Sequence, residues 1–278
     1  MLIGFIDYFL DEWHANNYPT WLKEADPDCE VAYAYAVTDH PNGGLTTDEW
    51  CEKNGVTRCM TMQELVEKSD AIVVLSPDNC ELHEALCQVP LRSGKPVYID
   101  KTFSPSLAMG KRIFDIAAKH NTPCYSTSAL RFAEEYQVPT DEITAITSIG
   151  GSVPEIYIIH QLEPVMMLMK EQAKRVMTLA TDSFYTYIIE FNSGRVVTVN
   201  QFEKGAPFAL NIAYKNGGAV VANAASDFFK VFIANLAHFF KTREIPVQPE
   251  ETLQIMAVRE AALKGLSMPG QWIAVEQL

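Results

Sequence analysis

The run Val97-Tyr98-Ile99 is apolar and ends in Asp100-Lys101, inside Gly94-Lys95-Pro96-Val97-Tyr98-Ile99-Asp100-Lys101-Thr102-Phe103. Such a run reads as a buried strand, and the carboxyl end of a strand in an open parallel sheet is where ligands sit. A lysine there is readily tuned by burial and can polarise a substrate oxygen. A solvated lysine in a βα loop fits the same position equally well. His160 follows Ile156, Tyr157, Ile158 and Ile159 and precedes Leu162, so a packed helix carries it. Tyr157 and Glu163 lie three residues to either side and share its face. Taken alone, His160 reads first as a satisfied core histidine. Asp11-Glu12-Trp13-His14 with Asn16-Asn17 is a third polar segment. Asp11 and His14 are spaced for one helical face, but two ligands are too few for a metal site. A capped helix start is the plainer reading. A ligand held by side chains rather than by backbone amides is the sharper one.

These residues need elements to position them. Over the first 120 or so residues, strands at 2–6, 31–37, 71–75 and 97–99 alternate with helical patterns. The helices fall at 14–23 (interrupted near Pro19), 48–54, 62–68, 81–91 (broken at Pro90) and 107–120. That order predicts a parallel, doubly wound α/β sheet. The second half differs. Phe184–Phe191 and Arg195–Gln201 flank Asn192-Ser193-Gly194, and Leu210–Tyr214 and Ala219–Ala222 flank Asn216-Gly217. Both are hairpin signals and predict a largely antiparallel sheet. Ser226-Asp227 reads as the cap of a helix over 228–241, whose phenylalanines suit a core better than a ligand box. Pro249-Glu250-Glu251 opens a last helix to about Lys264. The expected architecture is a Rossmann-like domain over 1–124 followed by an α+β domain over 125–278.

Composition bounds the function. The chain has 278 residues, is 48% hydrophobic and carries a net charge of −13. That charge argues against nucleic acid and anionic membranes as partners. No apolar run approaches the ~20 residues of a membrane span. The six cysteines show no CxxC pair, which suits a reducing, cytoplasmic setting.

Five segments, in order, resemble the Gfo/Idh/MocA family of NAD(P)-dependent sugar oxidoreductases. They are Asp70–Asn79 with His83; Gly94–Thr102, with Asp and Thr where the family motif has Glu and Pro; Leu130-Arg131-Phe132; Gly150-Gly151 with His160 and Glu163; and Ile245-Pro246-Val247 with Glu260-Ala261-Ala262. The resemblance spans essentially the whole chain. It implies hydride transfer between a nicotinamide, NAD or NADP, and a carbon bearing a sugar or polyol hydroxyl. It assigns Lys101 and His160 to the hydroxyl proton and the developing carbonyl. It places Asp7, Asp39, Ser76, Pro77, Asn79, His83 and Asp100 at the cofactor and Arg131, Tyr157 and Glu163 at the substrate. It also implies a homodimer or homotetramer built on the second-domain sheet. The chemistry is reasonable from first principles: alcohol oxidation needs a base at the hydroxyl and a cation at the oxygen.

The chain departs from the family at one end. GxGxxG should follow the first strand, yet Asp7, Phe9 and Glu12 occupy those positions and Gly4 lies within the strand. Phe9 obstructs backbone approach to a diphosphate. Asp7, Asp11 and Glu12 bring carboxylates to where a dianion docks, each like-charge contact costing roughly 4 kcal/mol at ~4 Å and an effective dielectric near ~20. One of these carboxylates could cap the first helix itself. Ile156 and Ile158 replace an acid and a glycine of the family motif. Asp39, about 30 residues after Asp7 instead of the ~20 of the simple fingerprint, reads either as a ribose ligand or as a loop acid. Two functions therefore stand: an oxidoreductase with an unusual cofactor grip, or a ligand-binding or regulatory protein on the same scaffold that has lost ordinary NAD(P) binding. A hydrolase or lyase using the carboxylates with His14 or His160 is a weaker third.

Overall fold

The computed structural model describes residues 1–278. The chain forms β1 (Leu2–Asp7), α1 (Trp13–Ala25), β2 (Glu30–Ala36), α2 (Thr47–Asn54), β3 (Thr57–Arg58), α3 (Met62–Lys68), β4 (Ala71–Val74), α4 (His83–Leu86), β5 (Val97–Ile99), α5 (Leu107–Lys119), β6 (Cys124–Tyr125), β7 (Ile143–Gly151), α6 (Pro154–Met169), β8 (Ala173–Ala180), β9 (Phe184–Phe191), β10 (Val196–Phe202), β11 (Ala209–Tyr214), β12 (Ala219–Asn223), α7 (Phe228–Thr242), α8 (Pro249–Leu266) and β13 (Trp272–Ala274). It divides into two compact units: Met1–Thr127 with Lys230–Pro249, and Ser128–Phe229 with Glu250–Leu278.

The first unit is an α/β layer structure. Its six-stranded sheet runs β3-β2-β1-β4-β5-β6, with every pairing parallel. β1 and β4 sit centrally and are almost entirely buried, so they read as unbroken apolar runs. The strand order reverses beside β1, which makes its carboxyl end the crevice of the sheet. Gly4 has a packing role there: a Cβ on it would lie 2.4 Å from Leu65 Cδ2 and Ser69 Oγ of the overlying α3 region. Part of α7 belongs to this unit. Phe232 meets Tyr18 and Tyr98 with ring centroids at 5.9 and 5.4 Å, and Phe239 meets Tyr125 at 4.7 Å. Lys241 pairs with Asp26 at 2.5 Å and Asp28 at 3.4 Å. Residues 230–249 thus cluster with the first unit, so neither unit is one contiguous stretch.

Two helical expectations change. α1 runs unbroken through Pro19. Ala15, Tyr18 and Leu22 are buried along one face, and their packing outweighs the one hydrogen bond proline removes. The stretch predicted as a helix over 81–91 is instead a 3-10 turn at Cys80–Leu82, the short α4, and a second 3-10 turn at Pro90–Arg92.

The second unit is built on a seven-stranded sheet, β12-β11-β7-β10-β9-β8-β13. Its pairings are antiparallel except β7 with β10. Both hairpins predicted from Asn-Ser-Gly and Asn-Gly turns are present. α6 and α8 cover one face: Arg259 donates to the Glu155 carbonyl at 2.5 Å, and Thr178 Oγ1 donates to the Ala262 carbonyl at 2.8 Å. Tyr187, Ile189, Phe191, Val197 and Val199 point into that core. The alternate residues, Leu179, Phe202 and Val221 among them, stay exposed. Gly151 is required by close backbone approach, since a Cβ would stand 2.1 Å from Gly205 Cα. No helix is long and apolar enough to cross a membrane.

Candidate functional site

In the first unit the polar residues converge on the carboxyl ends of β1, β4 and β5. Asp7 ends β1 at 1% exposure. Its Oδ1 accepts from the Tyr8 amide at 2.6 Å, and its Oδ2 has no hydrogen-bond partner. Burial, then the charges of Glu12 and Asp100, push the Asp7 carboxyl well above the usual carboxylate range. Asp100 is equally buried. Its Oδ1 accepts from Tyr98 Oη at 3.2 Å, and its Oδ2 lies 3.8 Å from Lys101 Nζ and 3.9 Å from His14 Nε2. Lys101, 8% exposed, also donates to the Pro77 carbonyl at 3.4 Å. The structure therefore holds the Lys101 ammonium between a buried carboxylate and a backbone carbonyl at the crevice. A freely solvated lysine is not what β5 delivers.

Glu12 is the N-cap of α1. Its Oε1 accepts from the Ala15 amide and its Oε2 from the His14 amide at 2.8 Å. The same Oε2 stands 2.9 Å from His14 Nδ1. The capped helix start is thus the observed one, made by Glu12. His14 links this cap to Asp100, a contact between residues 86 positions apart that no local spacing signals. Asp11 and His14 do not act together: Asp11 accepts from Asn16 Nδ2 at 3.0 Å and from the Leu45 amide at 2.8 Å. Phe9 packs on His40 with ring centroids at 4.7 Å. These contacts cross-link the loops after β1 and β2, and Trp50 Nε1 on α2 donates to Asn16 Oδ1 on α1 at 2.9 Å.

The remaining residues expected at a cofactor have varied roles. Asp39 is exposed, and its Oδ1 accepts from the Thr47 amide at 2.8 Å, which holds its carboxyl below the usual range. Ser76 takes a left-handed φ of 75°, and the turn closes on itself, with Ser76 Oγ donating to the Asn79 carbonyl at 3.3 Å and the Asn79 amide to the Ser76 carbonyl at 3.2 Å. Pro77 supplies the carbonyl that meets Lys101. His83 has a different task from the one expected. It is fully buried, with Nδ1 2.9 Å from the Phe103 carbonyl and Nε2 2.7 Å from the Leu75 carbonyl. It ties the loop after Lys101 to the end of β4, and neither ring nitrogen is left for a ligand. Burial holds it below the usual imidazole range.

In the second unit, α6 carries His160, half-buried, with Nδ1 2.7 Å from Ser128 Oγ. Tyr157 lies edge-on to it at 5.3 Å and stays 38% exposed. Ser128 was not foreseen; it is 32 residues upstream and only the fold brings it to the ring. Arg131 and Glu163, expected at a substrate, are committed to each other. Arg131 Nε donates to Glu163 Oε2 at 2.9 Å, and its Nη2 donates to Glu251. Both are buried. Burial raises the Glu163 carboxyl, and Arg131 works against that rise. Burial opposes the charge on Arg131, and the carboxylates of Glu163 and Glu251 together outweigh it and hold the guanidinium above its ordinary value.

Residues 21–148 match the model of GFO_IDH_MocA, described as an oxidoreductase family with an NAD-binding Rossmann fold. No curated protein matches the sequence. Among solved structures, the chain is similar to scyllo-inositol dehydrogenase from Lactobacillus casei with bound NAD(H) and scyllo-inositol, at 12% identity and TM-score 0.82, over 99% of this chain and 98% of that one. It is similar to myo-inositol 2-dehydrogenase from Lactobacillus plantarum at 11% identity and TM-score 0.79, over 99% of each chain. GenD2 from gentamicin A biosynthesis, in complex with NAD, matches at 12% identity and TM-score 0.80, over 99% and 96%. At such identities the likeness is one of fold.

A dinucleotide in such a fold rests its diphosphate on the first helix N-terminus. Here the Glu12 carboxylate already takes the amides of that terminus, with the buried Asp7 carboxyl beside it. As arranged, these residues do not fit an ordinary diphosphate grip.

Proposed function

We propose that the chain, whose residues 21–148 match the Gfo/Idh/MocA family model, is an oxidoreductase of that family transferring a hydride between a nicotinamide cofactor, NAD or NADP, and a hydroxyl-bearing carbon of a sugar or polyol. The observation that carries this reading is Lys101 at the carboxyl end of β5, its ammonium 3.8 Å from Asp100 Oδ2. An ammonium held in a partly dehydrated crevice stabilises negative charge on a substrate oxygen far better than one in water. Asp100 keeps it oriented, and His83 fixes the loop that follows. The resemblance gives the hydroxyl proton to His160. Ser128 Oγ, 2.7 Å from His160 Nδ1, orients the ring for that role. Tyr157, exposed beside it, is the remaining substrate-facing candidate. The inositol substrates of the Lactobacillus enzymes support a polyol as the substrate class.

Glu12 favours a second reading: a ligand-binding protein on the same scaffold without hydride transfer. Titration with NADH and NADPH, followed by nicotinamide fluorescence, separates the two. Saturable binding supports the oxidoreductase, and its absence at millimolar cofactor leaves only the second reading.

The uncovered face of the second-unit sheet, bearing Leu179, Phe202 and Val221, suits self-association into a homodimer or homotetramer. The buried thiols of Cys29, Cys51, Cys59, Cys87 and Cys124 suit the cytoplasm.

A further inference from the structure

The amides that open α1 are a ready anion seat, and the chain supplies its own anion to them. We infer that Glu12 is an internal competitor of the cofactor's diphosphate: the dinucleotide enters only when the Glu12 carboxylate swings off the α1 terminus. The inference rests on the oxidoreductase reading above.

Three observations support it. Glu12 uses both carboxylate oxygens on the helix start, one at the Ala15 amide and one at the His14 amide. His14 then clamps the carboxylate from the side, Nδ1 standing 2.9 Å from Oε2. The adjoining Asp7 is 1% exposed with an unpartnered Oδ2, so a diphosphate displacing Glu12 would still meet a carboxyl group. Burial and the Glu12 charge favour the neutral form of Asp7, which leaves Glu12 as the charge a diphosphate must overcome. A short N-cap such as serine satisfies one amide of the terminus without bringing charge. Glutamate is longer and charged, and it fills the seat instead.

The test is fluorescence titration of the full chain with NADH and NADPH, comparing wild type with Glu12→Ser and Glu12→Gln. Serine keeps a cap and removes both charge and bulk, while glutamine keeps the bulk and removes the charge. Circular dichroism melts confirm that each variant is folded. The expected result is cofactor binding tighter by about tenfold or more in both variants, the scale of one charge at a helix terminus in a partly buried setting. Tightening in Glu12→Ser alone also supports competition and assigns it to bulk. Equal affinity across wild type and both variants overturns the inference and leaves the oxidoreductase reading intact. Failure of all three proteins to bind at millimolar cofactor overturns both.

Discussion

At the scale of single residues, the crevice is defined by carboxylates the fold has taken out of water. Asp7 is the most extreme. Its folded carboxyl is raised well above the ordinary aspartate value of 3.8, with burial the first cause. A raised acid contributes stability that is fully present below the unfolded value and is lost as pH climbs toward the folded one. Asp7→Asn removes that loss, so thermal melts from pH 3 to pH 8 are expected to show the variant more stable than wild type near neutrality. The gap should close below about pH 4. A constant gap at every pH would show that Asp7 is not the titrating group. Lys101 and Asp100 could be singled out from the sequence because both follow an apolar strand, whereas the cap of α1 stayed open among Asp7, Asp11 and Glu12. His14 against Asp100 and Ser128 against His160 could not, because their partners lie 86 and 32 residues away.

At the scale of elements, periodicity and turn chemistry located most of the first unit. The apolar runs of β1, β4 and β5 need no partner to be recognised, and the Asn-Gly and Asn-Ser-Gly turns mark both hairpins of the second sheet. β7 and β8 were harder to see, since Thr144, Thr147 and Ser148 dilute the first and Lys174 and Arg175 interrupt the second. Pro19 misled in the other direction, because a single proline signals a break that tertiary packing cancels. The Arg131 segment shows how an element is held. Arg131 joins Glu163 on α6 to Glu251 on α8. Arg131→Met strands a buried carboxylate, and urea denaturation should register a loss of about 3–5 kcal/mol. A loss below about 1 kcal/mol would mean that the network is not what anchors these helices.

At the scale of the whole molecule, each unit has its own sheet and its own candidate residues. The parallel sheet delivers Lys101 and Asp100 to a crevice. The second unit carries His160 and Tyr157 on α6 and leaves one sheet face bare. If that face joins copies of the chain, sedimentation velocity will find two or four chains together, and Phe202→Asp will shift the population toward monomer; a monomeric wild type would contradict it. The sequence held the alternation that turns Leu179, Phe202 and Val221 outward but nothing that says what covers them. The central claim is that Lys101 polarises a substrate oxygen in a nicotinamide-dependent reaction. The most direct measurement is reduction of NAD or NADP, followed by absorbance, with inositols and simple sugars as substrates for wild type and Lys101→Met. The account predicts turnover by wild type and a fall in kcat/KM of roughly 100-fold or more in the variant. Equal rates in the two proteins, or no turnover by wild type on any polyol, would contradict it.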